Sequence, residues 1–249
     1  MLTEERHSLI LNALEEKGTL TVLELVNMLN TSESTIRRDL ATLDHNGRLR
    51  KVHGGAVKLD SGMILNEPNI TEKEKLFTEE KEKISRYAAQ TIKKNDFVYL
   101  DAGTTTEKMI EYITEKSATF VTNGFNHARL LAKRGFRVYL VGGEVKHTTE
   151  AIVGASCIEM LKSYNFTKCF LGTNGISAER GYTTHNIDEA SVKRVAVERG
   201  YVSFILADHS KFDRIAAVSF AEISKACIIT DYVKNNKYSS YTVIKEVCR

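Results

Sequence analysis

The sequence predicts two domains of different fold class. The first is an α+β winged helix-turn-helix over residues 1–58, and the second is an α/β domain with a mostly parallel sheet over residues 76–249, with a linker over 59–75. Three apolar stripes at helical spacing, followed by a short basic hairpin, indicate the first domain. Short apolar runs that alternate with helical segments from residue 97 onward indicate the second.

The composition places the chain in a general class. A chain of 249 residues with 42% hydrophobic and 27% charged side chains is typical of a globular protein with a sizeable core. The amino terminus is acidic and no apolar run approaches the roughly 20 residues that span a bilayer, so we expect neither secretion nor a membrane partner. The four cysteines lack a C-x-x-C spacing, so we expect reduced thiols in a cytoplasmic protein. The histidines lack the spacing of metal ligands, so we assign no metal.

The first two helices are predicted from apolar stripes and their caps. The stripe of the first helix contains Leu9, Ile10, Ala13 and Leu14, and Gly18 ends it. The second helix follows Thr21, a good N-cap residue, and its stripe contains Val22, Leu25, Val26 and Leu29.

The third helix presents one apolar and one polar face. Ile36, Leu40 and Leu43 are predicted to point inward. The opposite face and its flanks carry Ser34, Thr35, Arg37, Arg38, Ala41, Thr42 and His45. We expect Asn46-Gly47 to end this helix. A two-stranded wing is predicted from Arg48–Val52 and Ala56–Leu59, with its turn at His53-Gly54-Gly55.

Charge in this first domain is distributed unevenly. Residues 1–36 carry two basic and six acidic side chains, whereas residues 37–58 carry six basic and two acidic ones. A helix with hydroxyls and two arginines, followed by a basic hairpin, is the layout of a recognition helix and wing for duplex DNA. The predicted DNA-binding residues are Thr21, Ser32, Ser34, Thr35, Arg37, Arg38, Thr42, Arg48, Arg50, Lys51 and His53. The alternative is a three-helix interaction module whose arginines are merely solvated.

The linker is predicted around Pro68, the only proline, and a helix is predicted from Glu72 to Lys94. The apolar runs that follow are Phe97–Leu100, Thr119–Thr122, Val138–Val141, Cys169–Leu171, Ser203–Ala207 and Cys227–Thr230. Helices are predicted between them near 105–115, 125–134, 154–163 and 187–199.

Most of these runs end in small or polar residues. The ends are Asp101-Ala102-Gly103, Thr122-Asn123-Gly124, Gly142-Gly143, Gly172-Thr173-Asn174-Gly175 and Ala207-Asp208. In an open parallel sheet, ligands bind beyond the carboxyl ends of the strands. The sequence therefore predicts a small-molecule site at that edge.

Two motifs indicate what kind of molecule this site binds. In Asp101–Thr106, Gly103 would let a ligand approach the backbone, and hydroxyls with free helix amides would bind a phosphate; the alternative is an N-cap with surplus threonines. Glu189 and Lys193, together with Lys211, would line a sugar-phosphate pocket; the alternative is a surface pair four residues apart on a helix.

These motifs resemble the DeoR family of bacterial sugar-metabolism regulators over essentially the whole chain. The resemblance rests on Arg6, Ser32–Leu40 and Val52–Ala56 in the first domain. In the second domain it rests on Asp101–Thr106, Val121–Gly124, Gly142-Gly143, Phe170–Gly175, Asp188–Ala190 and Asp208–Phe212. Within the family the chain is most similar to Gram-positive fructose-operon repressors, which implies fructose 1-phosphate as effector. The lactose-operon type, with tagatose 6-phosphate, is the competitor.

The resemblance also implies the fold and the site. It implies a second domain similar to ribose-5-phosphate isomerase, which senses a sugar phosphate without catalysis and without a cofactor. It also implies a dimer or tetramer that binds operator DNA and is associated with the nucleoid. Thr104, Thr105 and Thr106 would hold the phosphate, and Asp101, Asn123, Asn174, Glu189, Lys193 and Lys211 would face the sugar. Gly103, Gly124 and Gly143 complete the predicted site. An active isomerase with a DNA-binding appendage and a constitutive DNA-binding scaffold remain the rival functions.

Overall fold

The computed structural model describes residues 2–46, 48–58, 62–64, 69–233 and 236–248. The chain divides into two compact units, Met1–Met63 and Ile64–Arg249. Gly47, Leu59 and Pro68, which are predicted at a helix end, a wing end and the linker, lie outside the described residues. Within the described part of the chain, no helix is long and apolar enough to span a bilayer.

The first unit is built from short helices packed on a small sheet. Its elements are α1 (Thr3–Lys17), β1 (Thr19–Thr21), α2 (Val22–Leu29), α3 (Glu33–His45), β2 (Arg50–Val52) and β3 (Gly55–Val57). Among the described residues, the strands form an antiparallel sheet in the order β1-β3-β2. The predicted hairpin of the wing is observed as β2 and β3, and β1 adds a strand that was not predicted, with Leu20 of β1 opposite Ala56 of β3. A strand of three residues is too short to show a period of two.

The helices of this unit begin and end largely where their caps predict. Gly18 ends α1 with a φ of 74°. Thr21 and Glu24 form a reciprocal capping box at the start of α2. Ile36, Leu40 and Leu43 are buried as predicted. In the apolar stripe of α1, Ile10 and Leu14 are buried, whereas Leu9 is 40% exposed.

The second unit is an α/β domain. Its helices are α4 (Ile70–Lys75), α5 (Thr78–Gln90), α6 (Thr104–Tyr112), α7 (Phe125–Lys133), α8 (Ala155–Lys162) and α9 (Ile187–Arg199). Its strands are β4 (Phe97–Leu100), β5 (Thr119–Thr122), β6 (Arg137–Leu140), β7 (Glu144–Lys146), β8 (Ala151–Val153), β9 (Phe166–Gly172), β10 (Gly175–Ser177), β11 (Gly181–Thr184), β12 (Gly200–Leu206), β13 (Val218–Ala221), β14 (Cys227–Thr230) and β15 (Ile244–Glu246).

The main sheet is parallel throughout. Over the described residues its order is β15-β14-β12-β9-β4-β5-β6, and each neighbouring pair is parallel. Val98 and Leu100 of β4 belong to the core on one face with α5, α6 and α7, while Tyr99 belongs to the core on the other face with α8 and α9. This alternation follows from the period of two along a strand. The predicted α/β class with a mostly parallel sheet is confirmed.

The prediction of a single helix over Glu72–Lys94 is wrong, because the chain forms two helices there. α4 lies inside the segment predicted as linker and ends before Leu76, which is extended. Phe77 has a φ of 53°, so the chain turns sharply before α5 begins. α5 ends at Gln90. The hairpin β7–β8 and the small sheet β10-β11-β13 were not predicted, because these strands have only three or four residues.

Candidate functional sites

The predicted DNA-binding side chains of the first unit lie on α3, at its amino end, on the wing and at the start of α2. Ser32 caps the helix by accepting a hydrogen bond from the Thr35 amide at 3.3 Å. Arg38 is exposed, and Arg37 is exposed in an ion pair with Glu33 at 2.6 Å. The other predicted residues that are exposed are Thr21, Ser32, Ser34, Thr42, Arg48, Arg50, Lys51 and His53, and Thr35 is half-buried.

Not all of these groups are equally available to a ligand. The Thr21 hydroxyl donates to Glu24 at 2.8 Å within the capping box, and the Thr42 hydroxyl donates to the Arg38 carbonyl at 3.1 Å. On the wing, the Lys51 amide donates to the Asp44 carboxylate at 3.0 Å, which ties β2 to the end of α3. The Lys51 side chain remains exposed, so it fits a contact to phosphate.

A buried ion pair fixes α3 against α1, and sequence reasoning missed it. Arg6 donates from Nε to Asp39 Oδ2 at 2.5 Å and from Nη2 to Oδ1 at 3.0 Å, and His7 lies 3.2 Å from Oδ1. Burial raises the pKa of Asp39, but the hydrogen bonds from Arg6 and His7 outweigh burial and hold the pKa below its ordinary value. The pair orients the recognition helix. The sequence does contain a signal for this pair, because Asp39, between Arg38 and Leu40, lies on the inner face of the helix.

The second unit contains a cavity of about 420 Å³ at the carboxyl edge of its main sheet. The ends of β4, β5, β9 and β12 supply Asp101, Asn123, Asn174 and Asp208 to its lining. The predicted convergence of strand ends is therefore observed for these strands. The predicted site residues that line the cavity are Asp101, Gly103, Thr104, Thr105, Asn123, Asn174, Glu189, Lys193 and Lys211.

Thr106, Gly124 and Gly143 do not line the cavity. Thr106 is fully buried, and its hydroxyl lies 2.6 Å from the Asp101 carbonyl and 3.0 Å from the Gly103 amide, so it supports the loop from below. A Cβ at Gly143 would lie 2.4 Å from the Val153 carbonyl oxygen, so this glycine permits close packing against β8. A Cβ at Gly124 would meet the ring of His127.

Lys193 and Glu189 both face the cavity but do not pair with each other. Lys193 Nζ bonds to Asp101 Oδ2 and lies 3.1 Å from the Gly172 carbonyl. Glu189 accepts from Lys146 Nζ at 3.0 Å and from the Thr149 hydroxyl at 2.7 Å. Both side chains are 8% exposed, so the alternative of a surface pair does not describe them.

Asn123 holds the loop in place with its whole amide group. Its Oδ1 accepts from the Tyr99 hydroxyl and from the Ala102 amide, both at 2.9 Å, and its Nδ2 donates to the Ile152 carbonyl at 3.2 Å. The residue lines the cavity, but its polar atoms are used within the protein.

The lining also contains basic residues that sequence reasoning missed. Among the described lining residues, five basic side chains accompany three carboxylates. The basic residues are Lys73, Lys81, Lys193, Lys211 and Arg214, and the carboxylates are Asp101, Glu189 and Asp208. The excess of positive charge suits an anionic ligand. No three His, Cys, Asp or Glu side chains of the described residues cluster in a way that would hold a metal.

Lys81 is the most deeply buried of the missed basic residues. It is 5% exposed, and burial lowers its pKa to about 8. It shares a face of α5 with Ile84 and Ala88, which are both buried. A lysine in register with an apolar stripe was the signal that could have revealed it.

Known proteins match the chain in two parts. Residues 6–62 match the family model described as DeoR-like helix-turn-helix domain, and residues 76–232 match the one described as DeoR C terminal sensor domain. The chain belongs to the DeoR family. It is therefore a transcriptional regulator of the DeoR type and not an enzyme.

Individual relatives cover nearly the whole chain. A Bacillus subtilis (strain 168) protein named "Uncharacterized HTH-type transcriptional regulator FruR" is 43% identical over 99% of both chains. The "Lactose phosphotransferase system repressor" of Staphylococcus aureus (strain N315) is 33% identical over 99% of both chains.

Solved structures are more distant. Ribose 5-phosphate isomerase A from Neisseria gonorrhoeae has a TM-score of 0.40 and 14% identity, with 57% of this chain and 55% of that one covered. The eIF2B delta structure from Chaetomium thermophilum has a TM-score of 0.41 and 17% identity, with 78% of this chain and 65% of that one covered.

The DeoR family match coincides with both candidate sites. The helix-turn-helix match contains α3 and the wing, and the sensor match contains Asp101, Glu189 and Lys193. Ile64, Ile70 and Lys73 line the cavity although they precede the sensor match. In this member of the family the pocket thus extends into the segment that leads into the sensor domain.

Proposed function

We propose that this DeoR regulator represses a sugar-metabolism operon and that a sugar phosphate in the cavity releases it from its operator. The observation that carries the proposal is the excess of basic side chains around a cavity of about 420 Å³, which is within the roughly 300–1,000 Å³ typical of small-molecule sites. A sugar phosphate combines a compact polar body with a dianion, and both ends find partners here.

The two ends of the ligand would meet different groups. Thr104 and Thr105 open α6, so their amides and hydroxyls would donate to the phosphate, with Lys81 and Lys211 in the same lining. Glu189 and Asn174 would accept from or donate to sugar hydroxyls. The phosphate thus lies toward the helix terminus and the sugar toward α9.

Fructose 1-phosphate is the favoured effector. The motif resemblance to fructose-operon repressors supports a fructose ester over tagatose 6-phosphate, and the chain is 43% identical to the protein named FruR against 33% to the lactose phosphotransferase system repressor. We further propose a homodimer or tetramer, whose symmetry would place half-sites roughly 34–36 Å apart or at a multiple of that spacing.

Release requires that the effector bind the DNA-incompetent arrangement more tightly than the competent one. An effector that binds both arrangements equally would shift nothing. The operator would be free of repressor when the sugar ester accumulates.

The decisive experiment measures operator affinity in the presence of a panel of small molecules. An operator fragment selected from genomic DNA is titrated with protein alone and with fructose 1-phosphate, tagatose 6-phosphate, ribose 5-phosphate, fructose or inorganic phosphate. We expect fructose 1-phosphate to weaken operator binding most and fructose to have no effect. If none of the esters changes operator affinity while DNA binding is normal, the constitutive scaffold is the better description.

Two variants on α9 give a matched comparison. Glu189→Gln changes a buried side chain of the cavity, and Glu198→Gln changes an exposed one on the same helix. We expect the first to weaken the response to the sugar ester and the second to behave as the wild type.

A further inference from the structure

One wall of the cavity comes from the chain segment that directly follows the first unit. The first unit ends at Met63, and Ile64, Ile70, Lys73, Leu76 and Phe77 all line the cavity. The Ile64 amide donates to the Ile215 carbonyl at 2.8 Å, which attaches the start of this segment to the second unit. A ligand in the cavity would therefore touch the segment through which the sensor domain is connected to the DNA-binding domain.

Within this segment α4 is weakly held. It has six residues, from Ile70 to Lys75, and none of them is buried. A helix of this length is marginal by itself, so its order depends on the contacts around it. Its amino end is capped by Asn69 and Glu72, and its carboxyl end is formed by the Leu76 amide donating to the Lys73 carbonyl at 3.3 Å.

Lys81 attaches α5 to that carboxyl end. Its Nζ donates to the same Lys73 carbonyl. Among the described residues no carboxylate lies within ion-pair distance of Lys81, so a buried ammonium has a neutral oxygen as its partner. Asp208 and Glu74 attract this charge from farther away, whereas Lys211 and Lys108 repel it. A buried charge with so little compensation favours any anion that can reach it.

The joint between α4 and α5 is also strained and fixed from the cavity side. Phe77 has a φ of 53°, a region that aromatic residues rarely adopt. Its ring meets His209 edge to face at 5.2 Å, and Lys211 Nζ lies 5.7 Å from its centre. His209 is itself held by Asp231 at 2.6 Å. The joint is thus held by His209 and by Lys211, of which Lys211 lines the cavity.

We propose that Lys81 is the residue that transmits ligand binding to α4: without ligand its ammonium binds the Lys73 carbonyl, and a phosphate in the cavity takes this ammonium away from α4. This inference rests on the proposed function. A phosphate dianion attracts the ammonium through its full negative charge, whereas a carbonyl offers only a dipole, so the exchange is favourable in a buried site. The Lys73 carbonyl loses a donor, the end of α4 loosens, and the connection to the DNA-binding domain changes with it.

The test is amide hydrogen exchange on the full-length protein with and without fructose 1-phosphate, with fructose and inorganic phosphate as comparison probes. We expect the amides of Ile70–Leu76 to lose protection when the ester binds and to keep it with fructose. Inorganic phosphate at high concentration should reproduce the loss, because the exchange requires only the anion. Binding of each probe is followed separately by thermal shift.

Matched variants separate this role from a general effect on folding. Lys81→Met removes the cation, and Lys83→Met removes an exposed one on the same helix. Lys81→Met should show low α4 protection without ligand and no further change with it, whereas Lys83→Met should behave as the wild type. Lys81→Arg, which keeps the charge, should retain a ligand-dependent change and shows whether the site tolerates substitution.

Two results would overturn the inference without touching the proposed function. One is an ester that binds and releases the operator while α4 protection stays constant. The other is a folded Lys81→Met protein that keeps the full ligand-dependent change. Absence of binding by every ester in the thermal shift would overturn the proposed function and, with it, this inference.

Discussion

Lys193 on α9 pairs with Asp101 at the end of β4, although Glu189 lies one turn earlier on its own helix. The two partners are 92 residues apart in the chain and both are buried. Lys193 also contacts the Gly172 carbonyl at 3.1 Å, so one ammonium connects β4, β9 and α9 at the base of the cavity. Helical spacing suggests a local pair between Glu189 and Lys193, but the structure instead contains the long-range pair between Lys193 and Asp101.

Removal of Lys193 should destabilise the sensor domain. Lys193→Met leaves the Asp101 carboxylate buried without its cation, and we expect the free energy of unfolding to fall by about 3–5 kcal/mol in urea denaturation. Arg194→Met, which removes an exposed cation from the same helix, should change it by less than about 1 kcal/mol. Equal effects of both substitutions would contradict this assignment.

Arg38 should read a base. It lies exposed on α3 next to Asp39, whose ion pair with Arg6 fixes the helix. If Arg38 contacts a guanine, Arg38→Ala should weaken operator binding by about 1–3 kcal/mol and relax the preference at one base position. Selection from a randomised operator library measures both. An unchanged preference at every position would remove Arg38 from the base-reading set.

Lys51 should act through phosphate alone. Its side chain is exposed on the wing, while its amide is anchored to Asp44. Lys51→Ala should weaken binding equally for all sequences and reduce the slope of log affinity against log salt by about 1. Lys17→Ala, at the exposed end of α1, is the control and should leave the slope unchanged. A sequence-dependent loss would instead indicate a base contact.

Effector affinity should decline in alkaline solution because of Lys81. Burial lowers the pKa of Lys81 to about 8, with Lys211 and Lys108 acting in the same direction and Asp208 and Glu74 against it. A bound phosphate dianion favours the ammonium and raises this pKa, so binding takes up a proton above pH 8. We expect a nearly constant Kd between about pH 6, where the phosphate loses its second proton, and pH 8. Above pH 8 the Kd should rise by up to about tenfold per pH unit.

Calorimetric titration of fructose 1-phosphate from pH 6.5 to 9.5 checks this dependence. Lys81→Met should bind weakly and without the alkaline decline. A decline of the same steepness in Lys81→Met would assign it to another group.

His127 should stay neutral well below pH 7. Burial lowers its pKa to about 4, against the attraction of Asp101 and a hydrogen bond to the Gly103 carbonyl. The unfolded chain takes up this proton near the ordinary value of 6.5, so the stabilising contribution is present above pH 6.5 and is lost as pH falls toward 4. Ring chemical shifts in an NMR titration report the pKa directly. A midpoint near 6.5 in the folded protein would contradict the burial of a neutral ring.

Features that depend only on residues close together in the chain could be predicted from the sequence. Apolar stripes and caps place α2 and α3, and alternating runs place β4, β5 and β14 at their observed bounds. Because parallel strands end at one edge, Asp101, Asn123 and Asn174 could be assigned to a common site before any contact was known.

The tertiary structure decided which of these groups are free and what they contact. The sequence could not distinguish a lysine that pairs within its helix from one that pairs across 92 residues, as Lys193 does. Helical register indicates that Asp39 and Lys81 lie on inner faces, but it could not show that Asp39 pairs with Arg6 or that Lys81 binds the carboxyl end of α4, because these partners are distant in the chain or follow a turn. The sequence by itself determined the two domains and the edge of the sheet at which the polar strand ends meet. Packing alone decided the partner of each buried charge, since the energy of such a charge is set by whatever the fold places next to it.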